Sequence, residues 1–324
     1  MTTVEVTEVV RAGGGHIPDL LDRVERRLAE LACDHGGALA DHAGATIAAG
    51  GKRLRPLLVF LAGDAVEAES IVRAAVAVEL IHSATLVHDD VLDAASLRRG
   101  IPTVVATAGR GAATATGDLL FARAFAELVR NGRTDEVRVL SEATSALAEG
   151  ELQQRTDAWD AAVPVERYLR RCELKTARLF EAACRLGALE AGGEPDALGD
   201  FGRRVGLAFQ LLDDVLDVSG PAERTGKHRG TDLLDGTVTL PFILARERDH
   251  QLAALDPRSI RSPEAAARVC DRIEATGALD EARSRALAVV EEAKTALPGG
   301  LSERQRHALE LVADGVVARY SSGG

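Results

Sequence analysis

The sequence predicts an all-α protein, a single-domain bundle of many helices around a central cavity. Three observations predict it. Apolar residues recur at helical spacing through most of the 324 residues. Alternation of β-branched with polar residues is rare, and hairpin dipeptides between apolar runs are few. Glycine- and proline-rich breaks, at 13–15, 50–51, 131–132, 192–195, 220–221 and 298–300, cut the chain into helix-length blocks, and none is long enough for an interdomain linker. Residues 1–18 therefore read as an N-terminal arm, 19–320 as one helical domain and 321–324 as a flexible tail.

The elements follow in order. Residues 19–31 place Leu20, Val24, Leu28 and Leu31 on one stripe with charges opposite. Blocks 66–88, 111–129 and 201–217 carry few charges and are apolar nearly all round, which suits helices at the centre of a bundle. Residues 165–186 return to a one-sided stripe of Leu169, Cys172, Leu179, Ala183 and Leu186.

Composition excludes several functions. Hydrophobic residues make up 46% and charged residues 27%, which rules out a disordered chain. The formal charge of −11 and the scarcity of aromatics argue against a nucleic-acid partner, which needs clustered cations and stacking rings. Cys33, Cys172, Cys184 and Cys270 form no CxxC pair and read as small buried residues of a reducing cytosol. The start of the chain is acidic where a signal peptide is basic, and no apolar run is read as membrane-spanning. The expectation is a cytoplasmic protein without a membrane span.

Asp-Asp-Val-Leu-Asp occurs at 89–93 and again at 213–217, each time closing an apolar helical run. On a helix, Asp89 and Asp93 leave the same face about 6 Å apart along the axis. Like charges so placed repel unless a cation lies between them. Hard oxygen ligands on one rigid face suit Mg²⁺, shared between carboxylates and a substrate's phosphates. One such cluster is as easily a solvated helix end; two copies after apolar runs favour the metal. If the two helices face each other, six carboxylates converge on one cavity.

Bases sit beside these acids. Arg98-Arg99-Gly100-Ile101-Pro102 follows the first cluster and marks a helix stop carrying guanidinium groups. Upstream, Gly50-Gly51-Lys52-Arg53-Leu54-Arg55-Pro56 sets Lys52 and Arg55 after a flexible Gly-Gly, without the Ser or Thr of a Walker phosphate loop. His82 lies two helical turns before Asp89 on the same face, and Val78 and Thr85 complete the stripe. A helix apolar at depth and acidic at its mouth suggests a tunnel for an amphiphile with a diphosphate head and a hydrocarbon tail.

Blocks 50–56, 79–93, 97–103, 117–125, 174–188, 206–220, 225–227 and 239–241 together resemble a trans-isoprenyl diphosphate synthase of the polyprenyl synthetase family. The resemblance implies Mg²⁺-dependent head-to-tail condensation of isopentenyl diphosphate with an allylic diphosphate, three ions with substrate bound, and a homodimer. It assigns Asp89, Asp93 and Asp213 to Mg²⁺, with Asp90, Asp214 and Asp217 as ligands or their supports. Lys52, Arg55, His82 and Arg99 would hold isopentenyl diphosphate; Arg98, Lys175, Thr176, Gln210 and Lys227 would hold the allylic diphosphate. The chain departs from the pattern at Thr237, where a second lysine is usual, at His228 for proline and at Val105 for asparagine.

In the family, aromatics four or five residues before the first cluster floor the tunnel. Ala84 and Thr85 stand there, no Phe, Tyr or Trp occurs between Phe60 and Phe121, and Val78 or Ile81 becomes the floor. A twenty-residue helix offers about 30 Å of tunnel wall, so the expected product has roughly thirty carbons or more. A geranylgeranyl or farnesyl diphosphate synthase is the nearer alternative. A terpene cyclase would replace the second acid cluster, and a non-catalytic subunit of a heteromeric synthase would have lost aspartates or the basic loop.

Overall fold

The protein is described by a computed structural model covering residues 3–33, 37–48, 50–98, 100–220 and 228–321. Helices account for the apolar stripes in order: α1 (Thr3–Gly13), α2 (Ile17–Cys33), α3 (Gly37–Ala48), α4 (Leu54–Ala62), α5 (Glu69–Leu92), α6 (Val104–Val129), α7 (Thr134–Thr156), α8 (Val165–Cys172), α9 (Arg178–Ala191) and α10 (Pro195–Ser219). Further helices span Thr231–Leu234, Leu240–Arg248, His250–Ala253, Pro263–Ala275, Ala278–Thr295 and Glu303–Ser321. The all-α expectation holds. Helix α1 lies within the segment read as an arm, and residues 322–324 of the expected tail lie outside the described residues.

Two local features depart from the sequence reading. After the first acid cluster the chain forms a hairpin, Leu97–Arg98 (β1) antiparallel to Ile101–Pro102 (β2), where only a helix stop was expected. Gly100, at φ 79°, supplies the left-handed turn residue. The stripe at 165–186 is not one regular α-helix either: a π turn at Glu173–Ala177 separates α8 from α9.

Contacts divide the chain into two compact units. The first comprises Met1–Thr144, Leu179–Gly202 and Ala296–Val312. Its core helix is α5, packed on α6, α4 and α2. Ile71, Leu80, Ile81, Leu57 and Leu58 are fully buried, each worth about 1.5–3 kcal/mol of transfer from water. Glycine permits the closest approaches: a β-carbon at Gly117 of α6 would meet the His88 imidazole of α5 at 2.2 Å, and one at Gly187 of α9 would meet the Val59 carbonyl of α4 at 2.1 Å. Contrary to the sequence reading, α5 is long and apolar enough to cross a membrane. Most of its side chains are instead buried within the unit, and Glu79 on it is paired with Arg53.

The second unit comprises Ser145–Arg178, Arg203–Thr295 and Ala313–Gly324. The helix Leu240–Arg248 is central to it, with Leu240, Phe242, Leu244 and Ala245 buried against Ala278–Thr295, Pro263–Ala275 and α8. Cys172, Cys184 and Cys270 are buried thiols. The Cys33 side chain lies outside the described residues.

Candidate active site

In the first unit the stripe through the first acid cluster opens progressively towards solvent. Val78 is fully buried, His82, Thr85 and Asp89 are half-buried, and Asp93 is exposed. Ile81 and Ala84, the other chain-length candidates, are fully buried. The Thr85 hydroxyl is spent on the His82 carbonyl at 2.8 Å. Helix α5 ends here: Asp93 is its C-cap, its amide donating to the Asp89 carbonyl at 2.8 Å, and Ala94 turns the chain away with φ 52°. Three carboxylates thus stand at the negative end of the helix dipole with no base in the last turn, where cations rather than anions are favoured. Asp90, only 6% exposed, accepts from Arg98 Nε at 2.7 Å and so ties the β1–β2 hairpin to the helix end. Arg99 lies outside the described residues.

The basic loop divides its labour. Arg53 adopts φ 47° as the N-cap of α4, and its guanidinium donates to Glu79 Oε1 at 2.7 Å, to the Ile47 carbonyl at 3.2 Å and to both oxygens of Glu25. Glu79 is a buried carboxylate, so Arg53 serves the fold. Lys52 is exposed, and Arg55 lies with its guanidinium carbon 4.7 Å from the centre of the Phe180 ring, which fixes the side chain by cation–π attraction.

In the second unit α10 ends in the same way as α5: Asp213, Asp214 and Asp217 occupy its last two turns, with no base in the last. Asp214 is buried, and both its oxygens are engaged, Oδ2 by the Tyr168 hydroxyl at 2.6 Å and Oδ1 by Gln210 Nε2 at 2.7 Å. Burial pushes its carboxyl up to about 7, while the bonds from Tyr168 and Gln210 oppose that shift by favouring the charged form. Gln210 Oε1 accepts in turn from the Thr176 hydroxyl at 2.7 Å. Thr176, Gln210, Asp214 and Tyr168 therefore form one chain of hydrogen bonds, which leaves the half-buried Asp213 and Asp217 as the outward carboxylates.

Lys175 is set by the π turn, a distortion common at functional positions. A β-carbon at Gly150 of α7 would meet the Lys175 amide nitrogen at 2.6 Å and Leu174 Cβ at 2.9 Å, so only glycine lets α7 lie against that turn. The ammonium donates to Glu151, the residue after this glycine. Burial raises the Glu151 carboxyl, but Lys175 and Arg155 outweigh it and hold the group below the ordinary carboxylate range. Sequence reasoning missed Glu151 and Tyr168. The only signal for Tyr168 was its rarity, one of two tyrosines in the chain.

Asp217 anchors the turn that begins at Gly230. Its Oδ2 accepts from the Asp232 amide at 3.2 Å and its carbonyl from the Gly230 amide at 2.8 Å. The far end of the same turn is held by Trp159, whose amide donates to the Gly236 carbonyl at 2.8 Å. Gly236 has φ 77°, and a β-carbon there would meet the indole at 2.3 Å. Trp159 itself sits at φ 65°, a conformation costing a bulky residue about 1–3 kcal/mol. Thr237, in place of the usual lysine, follows this turn. Lys227 lies outside the described residues.

Among the described residues no three His, Cys, Asp or Glu side chains gather as a ready-made metal cage. The donor set still fits a hard divalent ion: paired oxygens of Asp89 and Asp93, and of Asp213 and Asp217, at helix ends that repel further anions. Mg²⁺ asks for only one or two carboxylates, since waters and substrate phosphates complete its octahedron.

The sequence profile of the family described as Polyprenyl synthetase matches residues 38–274. The chain belongs to the polyprenyl synthetase family. This synthetase is 42% identical over 244 residues to heptaprenyl diphosphate synthase component 2 of Geobacillus stearothermophilus, the match covering 74% of this chain and 76% of that one. Its fold superposes on a decaprenyl diphosphate synthase of Rhodobacter capsulatus with a TM-score of 0.90 at 31% identity, covering 98% and 100% of the two chains. A polyprenyl synthase of Caulobacter crescentus, solved with calcium and isoprenyl diphosphate, gives 0.87 at 34% identity and 98% coverage of both. Other relatives carry names from geranylgeranyl to octaprenyl diphosphate synthase. The synthetase is thus an isoprenoid-synthase-type fold and a prenyltransferase, as its sequence indicated.

Proposed function

We propose that this synthetase condenses isopentenyl diphosphate with an allylic diphosphate, with Mg²⁺, and repeats the step to a long trans product. The observation that carries the reading is the pair of acid clusters at the negative ends of α5 and α10, neither balanced by a base in its last turn. Such ends attract cations, and diphosphates follow the cations. Asp89, Asp93, Asp213 and Asp217 would hold the metal, with Asp90 fixing Arg98 and Asp214 fixing the Tyr168–Gln210–Thr176 chain. Bound Mg²⁺ would neutralise the allylic diphosphate and stabilise the charge that develops as its C–O bond breaks.

The side chains do the rest. Arg98, Lys175, Thr176, Gln210 and Lys227 grip the allylic diphosphate; Lys52, Arg55, His82 and Arg99 grip isopentenyl diphosphate. Their donors are fixed in advance, Lys175 by Glu151 and Arg55 by Phe180, so little reorganisation accompanies the reaction. The double bond of isopentenyl diphosphate attacks the allylic carbon, and released pyrophosphate takes the proton. Apolar side chains along the α5 stripe exclude water, which would quench the cation. Ala84 and Thr85 leave room for growth, and Val78 and Ile81 close the far end. This is a cytoplasmic homodimer on this reading, and Ala115, Ala122, Ala126 and Val129 give α6 an exposed apolar face for a partner copy.

The name component 2 of the Geobacillus relative favours one second reading, a subunit that works only beside another chain. Pyrophosphate release by the purified chain separates the two. The proposal expects release with Mg²⁺, none with EDTA, and a fall of about a thousandfold or more in Asp89→Asn and Asp213→Asn. Silence alone, with activity on mixing with a second protein, would establish the subunit.

A further inference from the structure

We propose that a cavity in the second unit, formed by none of the residues assigned to the diphosphates, binds an amphiphilic anion: a phosphate or diphosphate ester with an apolar tail. The cavity holds about 400 Å³ and is lined by Trp159, Leu234, Arg258, Ile260 and Arg261. That volume lies within the range of small-molecule sites, and the mixture of aliphatic, aromatic and cationic walls is what such a ligand needs.

The cationic wall is a single turn. Arg258 and Arg261 are three residues apart around the 3₁₀ turn Pro257–Ser259, and Arg261 Nε donates to the Arg258 carbonyl at 3.2 Å. The carboxylate paired with Arg258 is Asp256, at 3.9 Å, and its Oδ1 already accepts the Arg258 amide at 3.0 Å. Among the described residues no carboxylate pairs with Arg261. With the paired carboxylate 3.9 Å from Arg258 and none among the described residues paired with Arg261, each guanidinium offers the cavity the forked donors that suit phosphate oxygens.

The apolar wall is equally deliberate. Trp159 is the single tryptophan of the chain, yet it is held half-exposed at a φ of 65°, a value bulky residues avoid. Its amide is bonded to Gly236 and its ring rests on the Gly236 backbone, so the indole is a rigid platform beside buried Ile260 and half-buried Leu234. A rigid ring with few rotamers accepts an apolar tail at small entropic cost. This site is independent of the proposed condensation.

The lone tryptophan reports directly on its own cavity. The full chain is titrated in EDTA with farnesyl diphosphate, with farnesol and with inorganic pyrophosphate, and indole fluorescence is followed. The expected result is a saturable change with farnesyl diphosphate and at least tenfold weaker responses to the other two. The pair Arg258→Ala and Arg261→Ala removes the change and leaves Mg²⁺-dependent pyrophosphate release within twofold, while Lys175→Ala keeps the change. The proposal is overturned by an unresponsive indole, or by pyrophosphate or farnesol binding as well as the ester. It is equally overturned if the signal disappears in Lys175→Ala and survives in the arginine pair, for Trp159 would then be reading the diphosphate site through Gly236 and Asp217.

Discussion

Lys52 and Arg53 are neighbours with opposite duties. Arg53, 11% exposed, neutralises the buried Glu79, whereas Lys52 points outward. Arg53→Ala therefore leaves a buried carboxylate alone and lowers unfolding stability by about 3–5 kcal/mol, read by urea titration. Lys52→Ala leaves stability within about 0.5 kcal/mol and instead raises KM for isopentenyl diphosphate. The sequence could display three bases within four residues but not which of them meets an acid twenty-six residues on, because that depends on how α2, α4 and α5 pack. The placement of the aspartates at the ends of α5 and α10 was legible for the opposite reason: their repetition and spacing are local features of the chain. Asp214 shows the limit of such spacing. Its motif position matches that of Asp90, yet its oxygens are occupied by Gln210, four residues earlier in the same block, and by Tyr168, which no motif joins to it.

Among the elements, the C-terminal ends of α5 and α10 were readable, since each pentapeptide follows an apolar run and precedes a turn. The π turn was not. It packs against Gly150, some twenty-five residues earlier, whose missing side chain admits the turn's backbone. Gly150→Ala is expected to push the Lys175 turn away and to lower kcat/KM for the allylic substrate at least tenfold, since a displacement of about 1 Å can cost a hundredfold. Far-UV circular dichroism should stay unchanged; unaltered kinetics would show that the turn does not set Lys175. The β1–β2 hairpin was also illegible, because two-residue strands are too short to show alternation, and its turn depends on the positive φ of Gly100.

At the scale of the whole molecule, the all-α class followed from helical spacing of apolar residues through most of the chain and from the scarcity of strand alternation. The ionisation of its interior did not. Burial, then the adjoining Glu190 carboxylate, pushes the Glu136 carboxyl up to about 8, against the opposing effects of Asn131 and Arg133. The native chain thus keeps a proton that the unfolded chain, with an ordinary value of 4.5, releases. The contribution of Glu136 to stability is greatest below that ordinary value and is lost as pH climbs through about 8. The loss should amount to about 1–2 kcal/mol once solvent screening is allowed for. The slope should flatten in Glu136→Gln, measured by urea midpoints across that window.

On the proposed function, product length is the other whole-molecule property, and it depends on how far the α5 stripe runs without a Phe, Tyr or Trp. Ala84→Phe should shorten it, and an unchanged length would mean that the growing chain does not pass this position. The most direct test is product analysis of the purified chain given isopentenyl diphosphate, farnesyl diphosphate and Mg²⁺. Products of roughly thirty carbons or more are predicted from the length of the helix wall. Release of geranylgeranyl diphosphate or shorter products alone would contradict the account.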